Sequence, residues 1–181
     1  MKLLRTIRLD PSDTFVFERA AEPGEWAVSG SFVFWNEDAA TLQGKARAAF
    51  RGGFLGVPSL GWSTLVQIVE ASEHDYRAAV GMLAEQLVAD FGAPTFSDAE
   101  AAAEEEFTFA SSLCTHPADT LIAIHRTQEG GEIHETFRSL RPRGGSRSTR
   151  AFTFFEVEGD DEPGERVDLA ALGENKAGDK S

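Results

Sequence analysis

The chain has a single cysteine, Cys114, in 181 residues. No internal disulfide can form, which suits a reducing cytoplasm. Positive charge is also scarce: 17 Lys and Arg stand against 30 Asp and Glu, a net charge of −13. Phosphate backbones are bound by basic surfaces that release counterions, so this balance argues against nucleic acid as a partner. It argues equally against anionic membrane surfaces. No stretch approaches the roughly 18 uninterrupted apolar residues of a membrane span. The opening MKLLRTIRLD carries a charge every few positions where a signal peptide would have an apolar centre. Also missing are G-x-S-x-G, H-E-x-x-H, paired cysteines and any internal repeat. A cytoplasmic globular protein without a recognisable catalytic constellation is the expectation.

What is present is enough for one substantial core. Hydrophobic residues make up 41 % and charged residues 26 %, the composition of a soluble domain. Residues 2–9 alternate with a period of two, predicting a first strand. Turn chemistry at Asp10-Pro11-Ser12-Asp13 leads to a second strand over 14–18, and Glu22-Pro23-Gly24 to a third over 26–35. Residues 38–51 read as a helix capped by Asp38 and stopped by Gly52-Gly53. A strand follows over 63–71. The helix over 72–91 is capped by Ser72 with Asp75 and ended by Gly92 and Pro94. A third helix, 97–113, carries a Ser97/Glu100 capping box, and its Glu104-Glu105-Glu106 run reads as a solvated face.

The segments LLRTIRLDPSDTFVFERA (3–20), EWAV (25–28), GFLG (53–56) and GWSTLV (61–66) resemble the corresponding stretches of a family of small uncharacterised bacterial proteins. The resemblance implies a bacterial, stand-alone, soluble protein. That family has no assigned activity, so it implies no substrate, cofactor or site.

The densest group of chemically able side chains lies in the hairpin over 120–141. Gly130-Gly131 supplies the positive φ of a tight turn, and facing Glu129 with Glu132 sets the register. Thr127 then opposes His134, and His125 opposes Thr136. One face carries Ile122, Ile124, Ile133 and Phe137 toward a core. The other carries Ala123, His125, Thr127, His134, Thr136 and Arg138. The two histidines could share a divalent metal, or hold an anionic ligand with Arg138 and Thr136. Zinc takes three or four ligands and the hairpin supplies two, so no metal or other cofactor is called for. A plain polar sheet face is the simpler reading.

Other candidates reduce to structural roles. Cys114-Thr115-His116 pairs a thiol with an imidazole, but Cys114 falls on an apolar helical stripe, where a buried, inert thiol is expected. The glycine-rich 52–62 segment follows a helix and leads into a strand, the reverse of a phosphate cradle. Its Trp62 is the exception, since an aromatic side chain on a loop often marks a binding surface. His74 sits in an exposed first helical turn. Arg138, Arg141, Arg143, Arg147 and Arg150 form a basic run facing an acidic tail: nine acidic against three basic residues over 156–181.

Taken together, these readings predict an α+β protein: a mostly antiparallel sheet of five to seven strands with about three helices on one face. Residues 1–142 form the domain, 143–150 a basic Gly/Ser linker, and 151–181 an extra strand followed by a flexible acidic tail. The functional expectation is a non-enzymatic accessory or binding protein with a protein or small-ligand partner. The alternative is a metal- or ligand-dependent enzyme using His125, His134 and Arg138, with Glu132.

Overall fold

The computed structural model describes residues 1–142 and 155–158. Eight strands form one sheet: β1 (Lys2–Ile7), β2 (Trp26–Val28), β3 (Phe54–Gly56), β4 (Trp62–Ser63), β5 (Leu65–Glu70), β6 (Leu121–Glu129), β7 (Glu132–Pro142) and β8 (Phe155–Glu158). Their order is β4-β3-β2-β1-β5-β6-β7-β8, and every neighbouring pair is antiparallel. Four helices complete the α+β fold: α1 (Asp13–Val16), α2 (Gly44–Gly52), α3 (Glu73–Phe91) and α4 (Phe96–Ser112). The basic 143–150 segment and most of the acidic tail lie outside the described residues, whereas the end of the expected last strand is β8, paired to β7.

Burial divides the sheet in two. Successive strand residues point to opposite faces. Leu3 with Leu4, Ala27 with Val28, and Phe54 with Leu55 are all buried, so β1 to β3 are enclosed on both sides. β6 instead alternates over its outer half, with Ile124 and Arg126 buried and His125 and Thr127 exposed. This end of the sheet has a wet face and a dry one.

Several sequence expectations give way to tertiary contacts. Residues 14–18 are not a strand. Their T-F-V-F alternation is overridden at Asp13, whose buried carboxylate accepts from the Thr64 hydroxyl at 2.5 Å and the Thr64 amide at 3.2 Å. That anchor leaves a single helical turn, with Phe15 outside and Phe17 in the core. The expected 26–35 strand stops at Val28. Gly30 has φ +79°, and a Cβ there would stand 2.6 Å from the Leu55 Cβ, so the chain turns under β3. A 3-10 helix, Ser31–Phe34, follows.

The helix expected from Asp38 begins six residues later, at Gly44, whose φ is +55°. Asp38 instead closes a turn, accepting from the Thr41 amide at 2.9 Å through its carbonyl. The glycine-rich segment turns out to hold β3 and β4, and the strand expected over 63–71 is split between β4 and β5. In α3 the capping box forms as read, with Asp75 N–H to Ser72 Oγ at 3.1 Å and Ser72 N–H to Asp75 Oδ2 at 2.9 Å. In α4 the cap is Thr95 with Asp98, two residues before the expected Ser97/Glu100 pair. The same three-residue spacing recurs there, and the earlier pair directly follows Pro94, which ends the preceding turn.

The hairpin register is the expected one: Glu129 faces Glu132, Thr127 faces His134, His125 faces Thr136 and Ile124 faces Phe137. The faces can be separated by substitution. Phe137 is half-buried against Phe54 and Phe109, so Phe137→Ala should cost about 2 kcal/mol, below the range for a fully buried ring. His134→Ala, on the wet face, should cost under about 0.5 kcal/mol in the same urea titration. The opposite ranking would mean that the strand pairs one residue out of step.

Candidate functional site

The dry face of the hairpin holds more than hydrophobic side chains. Between the Ile124–Phe137 and Gln128–Ile133 pairs, Arg126 faces Glu135. The register read from sequence already places this pair inward. What it does not show is the depth. Arg126 is 0 % exposed, the largest fully buried side chain among the described residues.

A buried guanidinium must have its donors matched, and here they are. Nε donates to Glu135 Oε1 at 2.7 Å. Nη1 reaches the carbonyls of Gly53 at 2.7 Å, Phe50 at 3.0 Å and Ala49 at 3.4 Å, acceptors at and just beyond the negative end of α2. Nη2 donates to the Ser29 carbonyl. The Ser29 hydroxyl in turn donates to Glu135 Oε1. The Gly52-Gly53 stop thus exposes carbonyls that Arg126 collects, tying α2, the end of β2 and the hairpin together. Burial pulls the Arg126 pKa down, while the Glu135 charge and hydrogen bond hold it up. A guanidinium keeps its proton even so.

One acidic group nearby is left over. Ala99, Ala103, Phe107 and Ala110 form the buried stripe of α4, and Glu106, three residues beyond Ala103, turns toward the same side. The nearby Gly30 backbone N–H lowers its pKa, yet its Oε2 is buried without a hydrogen-bond partner among the described residues. Burial and then the Glu135 carboxylate push its pKa from 4.5 up to about 7, against Arg126 and the Gly30 N–H, which lower it. The solvated-face reading of Glu104-Glu105-Glu106 therefore holds for the exposed Glu104 and Glu105 and fails for Glu106. Its spacing from Ala99, Ala103 and Ala110 was the available signal.

Glu106 also lines a cavity of about 400 Å³ between the 3-10 helix, α3 and α4, walled by Phe32, Val33, Leu87, Phe91 and Trp35. Phe32 meets Phe91 edge-on at 5.2 Å, and Trp35 is 74 % exposed. A carboxyl with a displaced pKa in an apolar concavity is the usual mark of a binding or active site.

The residues singled out from sequence lie elsewhere. His125, His134, Thr136 and Arg138 are all exposed on the wet face of the hairpin, as is Glu132 near the turn. Among the described residues, no group of three His, Cys, Asp or Glu side chains is placed to hold a metal ion. Trp62 belongs to the core rather than to a loop surface. It is 9 % exposed, stacked on Phe34 at 5.2 Å and 6.0 Å from the Arg126 guanidinium. Strand pairing with β3 explains the difference, since it converts the glycine-rich loop into an enclosed edge. Cys114 is buried as expected, and burial pushes its thiol up to about 11.

The fold and site define a class: an α+β sheet protein with a neutralised Arg–Glu pair in its core and an acidic, aromatic-walled cavity alongside. The chain belongs to the family of unknown function DUF6505, which matches residues 1–155. No curated protein and no solved structure shows significant similarity to it. No helix among the described residues is long and apolar enough to cross a membrane.

Proposed function

We propose that the protein is a cytoplasmic, non-enzymatic binding protein whose partner is a small molecule seated in the cavity between the 3-10 helix, α3 and α4. The placement of Glu106, a half-buried carboxyl, in the lining of an otherwise apolar and aromatic cavity carries this reading. The apolar walls supply contact area, and about 400 Å³ suits a small organic molecule. A binding role is favoured over catalysis because Arg126, Glu135 and Ser29 already satisfy one another, which leaves one group to face a ligand. The alternative, an enzyme or metal protein built on His125, His134 and Arg138, has no comparable support, since those side chains stand on an open face.

A neutral, environment-sensitive dye such as Nile red tests the cavity. Saturable binding with blue-shifted emission is expected. Ala102→Trp, an exposed wall position, should weaken that binding at least about tenfold while changing stability by less than about 1 kcal/mol. Equal binding by the variant, or none by either protein, would remove the cavity as the site.

A further inference from the structure

We propose that the ligand is a small organic cation, an amine on an apolar body, with its ammonium group held by Glu106. This rests on the cavity being the binding site and adds the charge of its occupant. Among the described residues, the charged ones that line the cavity are Asp98, Glu105 and Glu106, all acidic, with no Lys, Arg or His. The Arg126 charge is already spent on Glu135, to which it is bound at 2.7 Å. Among the described residues Glu106 makes no ion pair, and Arg126 acts on it only through space. An ammonium group donates up to three hydrogen bonds and accepts none, which suits a cavity whose charged lining residues are carboxylic acids. Charge-assisted bonds of this kind are about twice as strong as neutral ones. Phe32, Phe91 and Trp35 in the lining offer aromatic rings, to which a cation is attracted where it meets a ring face.

The carboxyl's own titration gives this reading a second signature. Glu106 is acted on by Glu135 from β7, Arg126 from β6 and Glu105 from its own helix, with Asp98 at the cavity wall. Near neutral pH it is partly protonated. A bound ammonium favours the carboxylate, so binding should release a proton from Glu106 to the buffer.

Phenylbutylamine, phenylbutanol and phenylbutyrate share one skeleton and differ in the charge of the head. Titration calorimetry on the full chain should find the amine at least about tenfold tighter than the alcohol, and the acid weakest. Glu106→Gln should bring the amine to the level of the alcohol. In the wild-type protein near pH 7, the amine's heat should differ between two buffers of unlike ionisation enthalpy, and Glu106→Gln should abolish that difference. If amine and alcohol bind alike, or if the acid binds best, the cation assignment is overturned while the cavity stands. If none of the three binds, the cavity itself is not the site and both readings fall.

Discussion

Arg126→Met should destabilise the protein by about 3–5 kcal/mol, the range found when one partner of a buried ion pair is removed. Methionine keeps much of the stem's volume, so the loss isolates the charge and its hydrogen bonds. The Phe50, Gly53 and Ser29 carbonyls lose the guanidinium as donor, while Ala49 keeps the Gly53 N–H. Glu135 keeps the Ser29 hydroxyl but loses its cation, and it stands near a second carboxyl, Glu106. Arg126→Lys should recover little, because an ammonium cannot span Glu135, the α2 carbonyls and Ser29 at once. Adding Glu135→Met to Arg126→Met should restore part of the loss, since a buried pair replaced by apolar groups is often close to neutral. Urea unfolding of the three variants measures these terms. A cost under about 1 kcal/mol for Arg126→Met would show that the guanidinium is not enclosed as described.

Stability should fall as pH rises from about 5 to about 8, and Glu106 is the cause. In the folded protein its carboxyl holds its proton up to about pH 7, whereas its ordinary value is 4.5. Between those values the folded state binds more protons than the unfolded one, so raising the pH favours unfolding. The contribution is fully present below pH 4.5 and is lost by the time the pH passes about 7. The gap is worth on the order of 3 kcal/mol. Glu106→Gln removes the titrating proton while keeping the shape. It should flatten this part of the pH profile, leaving the variant more stable than the wild type at pH 8 and close to it at about pH 5. Thermal melts across that range, in one ionic strength, provide the comparison. A wild-type profile that rises over the window would place Glu106 in water or beside an unanswered cation. An amine bound at Glu106 should offset the loss at high pH, since it stabilises the charged form.

The family resemblance, the α+β class and the hairpin register were legible before any coordinates, and each for a local reason. Gly130-Gly131 dictates a two-residue turn, and a turn of fixed length fixes every pair outward from it. Ser72 and Asp75 form their cap from residues three apart. The elements that misled are those whose conformation is set from a distance. Residues 14–18 alternate like a strand, but Asp13 is tied to Thr64 across the fold. Residues 29–35 continue the pattern of β2, but Gly30 must pass close to Leu55.

The candidate site shows the same division. The register places Arg126 opposite Glu135 on the inward face, whereas Glu106 was read as part of a solvated run although its spacing from the alanine stripe of α4 marks it as inward. That the guanidinium would be sealed from water, and that Glu106 would be left with a cavity and no cation, depended on where α2 ends and how α4 crosses the sheet. Periodicity states which side of an element a residue occupies. Only packing between elements sets how deep that side lies, and depth governs the dielectric and hence the charge of every group within it.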